Sequence, residues 1–144
     1  MTFKPSSFVA LILQYVDTVI VLMTKLLIVE DIPDNAELVR RIMSARGYEV
    51  LHAPDAETGL EMALAQLPDL ILLDLGLPDH DGLTLASWFR AEPSLNQVPI
   101  IAYTAWPPDT ARQMAENYGC NGYIGKPIGS VKEFVKSVES FLKA

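Results

Sequence analysis

From Lys25 onward, short apolar runs alternate with longer stretches of helical period. KLLIVE (25–30), DLILLD (69–74) and VPIIAYT (98–104) are rich in Leu, Ile and Val and too short for helices, so they are predicted as buried strands. YEVLHA (48–53) alternates and GYIG (122–125) is brief, and both are predicted as strands. The segment 33–46 places Pro33 and Asp34 early, Arg40, Arg41 and Arg46 late, and Gly47 at its stop. Those are helix signals that respect the macrodipole. Its apolar stripe is Leu38, Val39, Ile42 and Met43. Helices are also predicted over 54–67, with Ala56, Leu60, Ala63, Leu64 and Leu67 inward, over 82–92, stopped by Pro93, and over 107–119. The clearest period lies in 130–144, where Val131, Phe134, Val135, Val138, Phe141 and Leu142 recur at i, i+3, i+4 and i+7. Strands that are apolar on both faces, alternating with helices, imply a doubly wound α/β domain with a five-stranded parallel sheet.

Ahead of this pattern lies FVALILQYVDTVIVLM (8–23). It falls short of the roughly 20 apolar residues of a membrane span. Gln14 and Asp17 interrupt it, only Lys4 precedes it, and no small-x-small cleavage site follows. The domain is therefore expected over 24–144, with 1–23 an extension outside the core fold. That extension reads as the product of a start upstream of Met23, or as an extra docking helix. A membrane anchor is the third reading.

Composition narrows the partners. The 144 residues suffice for one domain with a core. A net charge of −7 with no Lys/Arg cluster gives no electrostatic reason to bind nucleic acid or anionic membrane, so proteins or cations are the expected partners. The single cysteine, Cys120, permits no disulfide within the chain and reads as a small residue at the core edge.

In an open parallel sheet, ligands bind beyond the carboxyl ends of the strands. Those ends carry Glu30 and Asp31, then Asp74, Thr104, and Lys126 followed by Pro127. After Asp74, the residues Gly76, Pro78 and Gly82 break the strand and hold a loop open. Three carboxylates in one crevice repel and drive a pKa upward unless a cation joins them. Carboxylates with backbone carbonyls and water suit Mg²⁺. Lys126 adds a second positive charge, and Thr104 a rotatable hydroxyl. A cation, an ammonium and a hydroxyl around one carboxylate make a phosphoryl site with Asp74 as nucleophile.

The motifs VED (29–31), DLGLPDHDG (74–82), AYTA (102–105) and GYIGKP (122–127) stand in the order and spacing of the response-regulator receiver domain of two-component signalling. The resemblance covers about 24–144 and implies the strand order 2-1-3-4-5 of the CheY-like, flavodoxin-like fold. It makes Asp74 the phospho-acceptor. Glu30 and Asp31 become the acidic pair for Mg²⁺, with Asp31 the more direct ligand and the backbone carbonyl of Gly76 a further one. Thr104 and Lys126 become the residues that contact the phosphoryl group. Tyr123 falls at the switch aromatic that responds to Thr104, and Gly76 and Trp106 flank the path of the hydrolytic water. Glu30 stands where Asp is common in the family. The resemblance further implies a cis Lys126–Pro127 bond.

The implied function is a stand-alone cytoplasmic receiver, a switch rather than an enzyme. It would accept phosphate from a sensor histidine kinase or a histidine phosphotransfer protein, and act on a downstream protein target or pass the phosphate onward. Its readout face would be the helix 107–119, the strand 122–125 and the helix 130–144, which also offers a surface for a homodimer. No nucleic acid or membrane partner is expected. A receiver-like docking module that takes no phosphate, and a receiver cut from a larger regulator or hybrid kinase, are the alternatives. A haloacid-dehalogenase-type phosphatase wants a second acid two residues after the nucleophile, where this chain has Gly76. A P-loop reading of CNGYIGKP fails at Cys120 and Pro127. Asp79, His80 and Asp81 read as solvated loop residues.

Overall fold

The computed structural model describes residues 6–142, and their side chains except at 17–23. The elements in chain order are α1 (Ser7–Met23), β1 (Lys25–Val29), α2 (Pro33–Ser44), β2 (Glu49–Ala53), α3 (Ala56–Gln66) and β3 (Leu70–Leu73). They continue with α4 (Gly82–Ala91), β4 (Ile100–Thr104), α5 (Pro108–Asn117), β5 (Gly122–Gly125) and α6 (Val131–Leu142). A single 3-10 turn, Pro93–Leu95, follows α4 where Pro93 was expected to stop it. The extension forms the helix α1; its residues 1–5, and positions 143 and 144 of the predicted last helix, lie outside the described residues.

The five strands form one parallel sheet in the order β2-β1-β3-β4-β5. Because side chains alternate along a strand, each of the three inner strands feeds two cores. Leu27, Val29, Ile71, Leu73, Ile100 and Ala102 point to one face, where Ala56 and Ala63 of α3, Leu85 and Phe89 of α4, and Ala115 of α5 cover them. Leu26, Ile28, Leu70, Leu72, Ile101 and Tyr103 point to the other, under Val39, Ile42 and Met43 of α2 and Phe134 and Val138 of α6. Each fully buried Leu, Ile, Val or Phe contributes roughly 1.5–3 kcal/mol of transfer free energy. Cys120 is buried at the edge of the first core, where burial pushes its thiol up to about 11.

Four helix positions differ from their period. Leu38, Leu64 and Leu67 are exposed rather than inward. Leu38 precedes Val39, and one position is a 100° turn of the helix, enough to leave the stripe. Leu67 is the C-cap of α3 with φ of 48°, a left-handed conformation that turns the chain out of the helix. Val131, in the first turn of α6, is exposed as well.

The loop acids serve as caps. Asp55 accepts from Thr58 N at 2.8 Å at the start of α3, and Asp81 accepts from Thr84 N at 2.8 Å at the start of α4. Asp79 reaches from the loop after β3 to accept from Ala56 N at 2.9 Å and Glu57 N at 3.1 Å, placing its charge on the N-terminus of α3. His80 stands 3.5 Å from Glu57 and packs edge-on against Trp88 with ring centroids 4.7 Å apart, while its side chain stays partly exposed in the loop.

Candidate functional site

Strand register explains why distant residues meet. β1 and β3 pair Val29 with Leu73, so the next position on each brings Glu30 and Asp74 to the same rim of the sheet. Asp74 N donates to Val29 O at 3.0 Å across that junction. β4 and β5 pair Thr104 with Gly125, and Lys126 N donates to Thr104 O at 2.9 Å. Four strand ends thus deliver Glu30, Asp31, Asp74, Thr104 and Lys126 to one crevice.

Within it, Lys126 Nζ lies 2.5 Å from Glu30 Oε1 and 3.5 Å from Asp74 Oδ2. The ammonium also stands 4.8 Å from the centre of the Tyr103 ring, and the Lys126–Pro127 bond is cis. Asp74 Oδ1 accepts from Gly76 N at 3.1 Å. Thr104, buried, accepts on Oγ1 from Trp106 N at 3.2 Å, and the Trp106 indole packs half-buried against the first core. Gly82 is needed by close approach: a Cβ there would overlap Asp74 O and Leu75 Cα. Tyr123, on β5, lies along its strand so that a Cβ on Gly125 would sit 2.7 Å from the phenol oxygen. The Arg112 guanidinium stands 5.8 Å from the centre of the Tyr123 ring.

The two buried carboxyls divide one proton unequally. Burial, and then the neighbouring Asp74 carboxylate, push Glu30 up to about 7 despite its contact with Lys126. Burial works against the ionised form of Asp74 as well. There it is outweighed by the neighbouring Glu30 carboxyl, the hydrogen bond from the Gly76 N–H and the Lys126 ammonium, and Asp74 ends below the usual carboxylate range. Of the two, Glu30 is the later to lose its proton and Asp74 the first to carry the charge.

Residues 26–139 match the response regulator receiver domain. The chain belongs to the receiver-domain family. The polar-differentiation response regulator DivK of Brucella ovis is 37% identical over 121 residues, covering 83% of this chain and 98% of DivK. A two-component response regulator from Clostridium difficile superposes with a TM-score of 0.77 at 27% identity, over 83% of this chain and 96% of that one. The receiver domain of a Pseudomonas aeruginosa sensor histidine kinase superposes with a TM-score of 0.77 at 30% identity, over 84% of this chain and 98% of that one. Its crystal structure has a magnesium ion coordinated in the active-site cleft.

The residues of this receiver suit such an ion. Among the described residues, Glu30 Oε2 is the buried side-chain oxygen with no hydrogen-bond partner. Glu30, Asp31 and Asp74 each offer an oxygen within 4.8 Å of the others. An all-oxygen donor set with one buried acceptor unsatisfied is the environment a hard divalent cation completes.

Two neighbours of the site carry no signal in the receiver's sequence. His52 Nε2 lies 2.7 Å from the Glu30 carbonyl oxygen, bracing β1 from β2. Tyr103 lies beneath Lys126, and burial followed by the Glu30 and Asp74 charges pushes its phenol up to about 12. Only the register of the assembled sheet places either one here.

Proposed function

We propose that this receiver is a phosphoryl-accepting switch whose domain spans 24–144, with Asp74 as the acceptor. A carboxylate oxygen of Asp74 forms the new P–O bond, and the P–N bond to a donor phosphohistidine breaks. The electron pair leaves on the imidazole nitrogen, which a proton then neutralises. The donor is a sensor histidine kinase or a histidine phosphotransfer protein. The supporting observation is the placement of the Lys126 ammonium between Glu30 and Asp74, at 2.5 and 3.5 Å.

Each residue of the chain has a defined part. The Gly76 N–H orients Asp74, and with the Lys126 ammonium it holds the carboxylate ionised and nucleophilic. The Lys126 ammonium and the Thr104 hydroxyl donate to the oxygens of the bound phosphoryl group. Mg²⁺, held by Asp31, Asp74 and the Gly76 carbonyl with Glu30 behind them, supplies further positive charge to those oxygens when bound.

Recruitment of the Thr104 hydroxyl to the phosphoryl group biases Tyr123 and, with it, the face formed by α5, β5 and α6. Phosphorylation shifts the population only by stabilising one state more than the other. The protein acts as a switch in the cytoplasm, through a downstream protein target or onward phosphotransfer, and that same face serves any homodimer of the activated form. Gly76 and Trp106 flank the hydrolytic water.

Incubation with Mg²⁺ and acetyl phosphate tests the reading. An alkali- and hydroxylamine-labile adduct on Asp74, absent in Asp74→Asn, is expected. Absence of the adduct in the parent protein overturns the reading in favour of a docking module that takes no phosphate.

A further inference from the structure

An open groove of about 500 Å³ lies between α3 and α4. That volume is within the roughly 300–1,000 Å³ of ordinary ligand clefts. Leu60, Trp88 and Ala91 supply its apolar lining, and Glu57, Glu61 and Glu92 its charge. Leu60 and Trp88 are half-buried, packed on the first core and still open to the groove. The groove shares no described residue with the phosphoryl crevice or with α5, β5 and α6.

Its negative charge is left unbalanced. No Lys or Arg is among the described lining residues. From Gly47 to Phe89 the chain has eight Asp and Glu and no Lys or Arg. Several of these acids are already engaged. Asp55, Asp79 and Asp81 accept from backbone N–H groups at the starts of α3 and α4, and Glu57 faces His80 at 3.5 Å. Glu61 and Glu92 make no ion pair among the described residues. Arg90 sits two positions from Glu92 but is turned elsewhere. Its guanidinium donates to the carbonyls of Gly119, Leu95 and Val98 at 2.8, 3.1 and 2.8 Å, and to Asn121 Oδ1 at 2.7 Å.

Such a lining discriminates by sign. Nucleic acid and anionic lipid are repelled. Two-fold pairing through the groove would set its carboxylates against the same carboxylates of a second copy. A bare metal ion would engage the acids and leave the apolar lining uncovered. A Lys or Arg side chain satisfies both halves, because its alkyl stem packs on apolar surface while its head reaches a carboxylate at the rim. Trp88 adds the side-chain ring that attracts a cation best. A tryptophan in a partly closed groove is also the residue type that dominates protein interfaces.

We propose that the α3–α4 groove docks a basic segment of a partner protein. One apolar side chain of that segment packs against Trp88 and Leu60, and flanking Lys or Arg residues face Glu57 and Glu61 of α3 and Glu92 at the end of α4. This is independent of the phosphoryl chemistry and of the face formed by α5, β5 and α6.

A phage-displayed library of random peptides of about 12 residues, panned on the full unphosphorylated chain in about 0.15 M salt, tests it. Clones that bind Glu61→Gln/Glu92→Gln equally well are discarded. The retained peptides are expected to carry at least two Lys or Arg beside an aromatic or aliphatic residue. Once synthesised, they should bind that double variant about tenfold more weakly than the parent. They should bind Glu116→Gln/Glu133→Gln, which removes the same charge from exposed positions of α5 and α6, as they bind the parent. In amide NMR spectra they should move the Trp88 indole resonance and leave that of Trp106 in place. Glutamine suits a helix as well as glutamate does, and an unchanged Trp106 resonance in each free variant reports an intact fold. No retained clone, retained clones without basic residues, an equal loss in Glu116→Gln/Glu133→Gln, or an unmoved Trp88 resonance overturns the proposal. So does self-association of the parent that Glu61→Gln/Glu92→Gln abolishes, which would give the groove to a second copy.

Discussion

Lys126 Nζ stands 2.5 Å from Glu30 Oε1, joining the ends of β5 and β1 across 96 positions of sequence. Burying such a pair carries a desolvation cost that often exceeds its Coulombic gain, so the contact is weak grounds for stability. Its use is positional. It holds the ammonium 3.5 Å from Asp74 while Glu30 keeps one oxygen unsatisfied.

The first prediction concerns pH. Glu30 rises from 4.5 to about 7 on folding, chiefly through burial. A carboxyl raised in this way contributes stability that is present below pH 4.5 and is lost as pH climbs through about 7. Asp74, lowered on folding, contributes in the opposite sense, and its share is lost only in acid, below its ordinary 3.8. In EDTA, the melting temperature should therefore fall between pH 5 and 7.5 for a loss on the order of 3 kcal/mol from Glu30, and Glu30→Gln should flatten that slope. Mg²⁺ affinity should rise by up to about tenfold per pH unit below pH 7 and then level off, because binding displaces the Glu30 proton. Thermal scans and Mg²⁺ titrations across this range check both.

Asp74→Asn should leave the metal-free protein at least as stable as the parent at pH 7.5. The amide oxygen can still accept from Gly76 N, and the carboxylate beside Glu30 is gone. A melting temperature clearly below the parent's in EDTA would count against the carboxylate crowding.

Gly82→Ala should cost about 1–3 kcal/mol, because the new methyl overlaps backbone rather than a movable side-chain tip. The same displacement moves Asp74, so acetyl-phosphate labelling should slow. Urea denaturation and labelling rates measure the two effects, and neutral values for both would refute the close-approach argument.

Gly125→Ala should behave differently. The new methyl meets only the tip of Tyr123, at 2.7 Å, so the side chain can move and the stability cost should stay under about 1 kcal/mol. The phenol must leave its place along β5. Fluorotyrosine NMR should show a displaced Tyr123 resonance before any phosphate is added, and an unshifted resonance would mean that the ring is held by something other than the space over Gly125.

Trp106→Glu addresses the lifetime of the phosphorylated state. The indole is large, mostly apolar and unable to act as a base, and it packs beside Thr104. Shielding by Trp106 predicts faster decay of phospho-Asp74 when a water-orienting carboxylate replaces it. Equal or slower decay in the variant would remove Trp106 from the path of the water.

Much of this receiver was legible as a string. Apolar runs of five or six residues and helical stripes such as Phe134, Val138 and Phe141 encode element type and inward face locally, through periods of 2 and 3.6. The strand ends bearing Glu30, Asp31, Asp74, Thr104 and Lys126 follow from those boundaries. Folding alone decided how the five meet. The rungs after Val29↔Leu73 and Thr104↔Gly125 made Glu30 the buried carboxyl whose pKa is raised and set Lys126 between it and Asp74. Periodicity likewise could not say that Leu38, Leu64 and Leu67 would face water, that Asp79 would cap a helix from 23 residues away, or that His52 would brace Glu30. A period reports one element's own face. Burial, desolvation and hydrogen-bond partners at a rim depend on which strands lie side by side, and these are brought together from opposite ends of the chain.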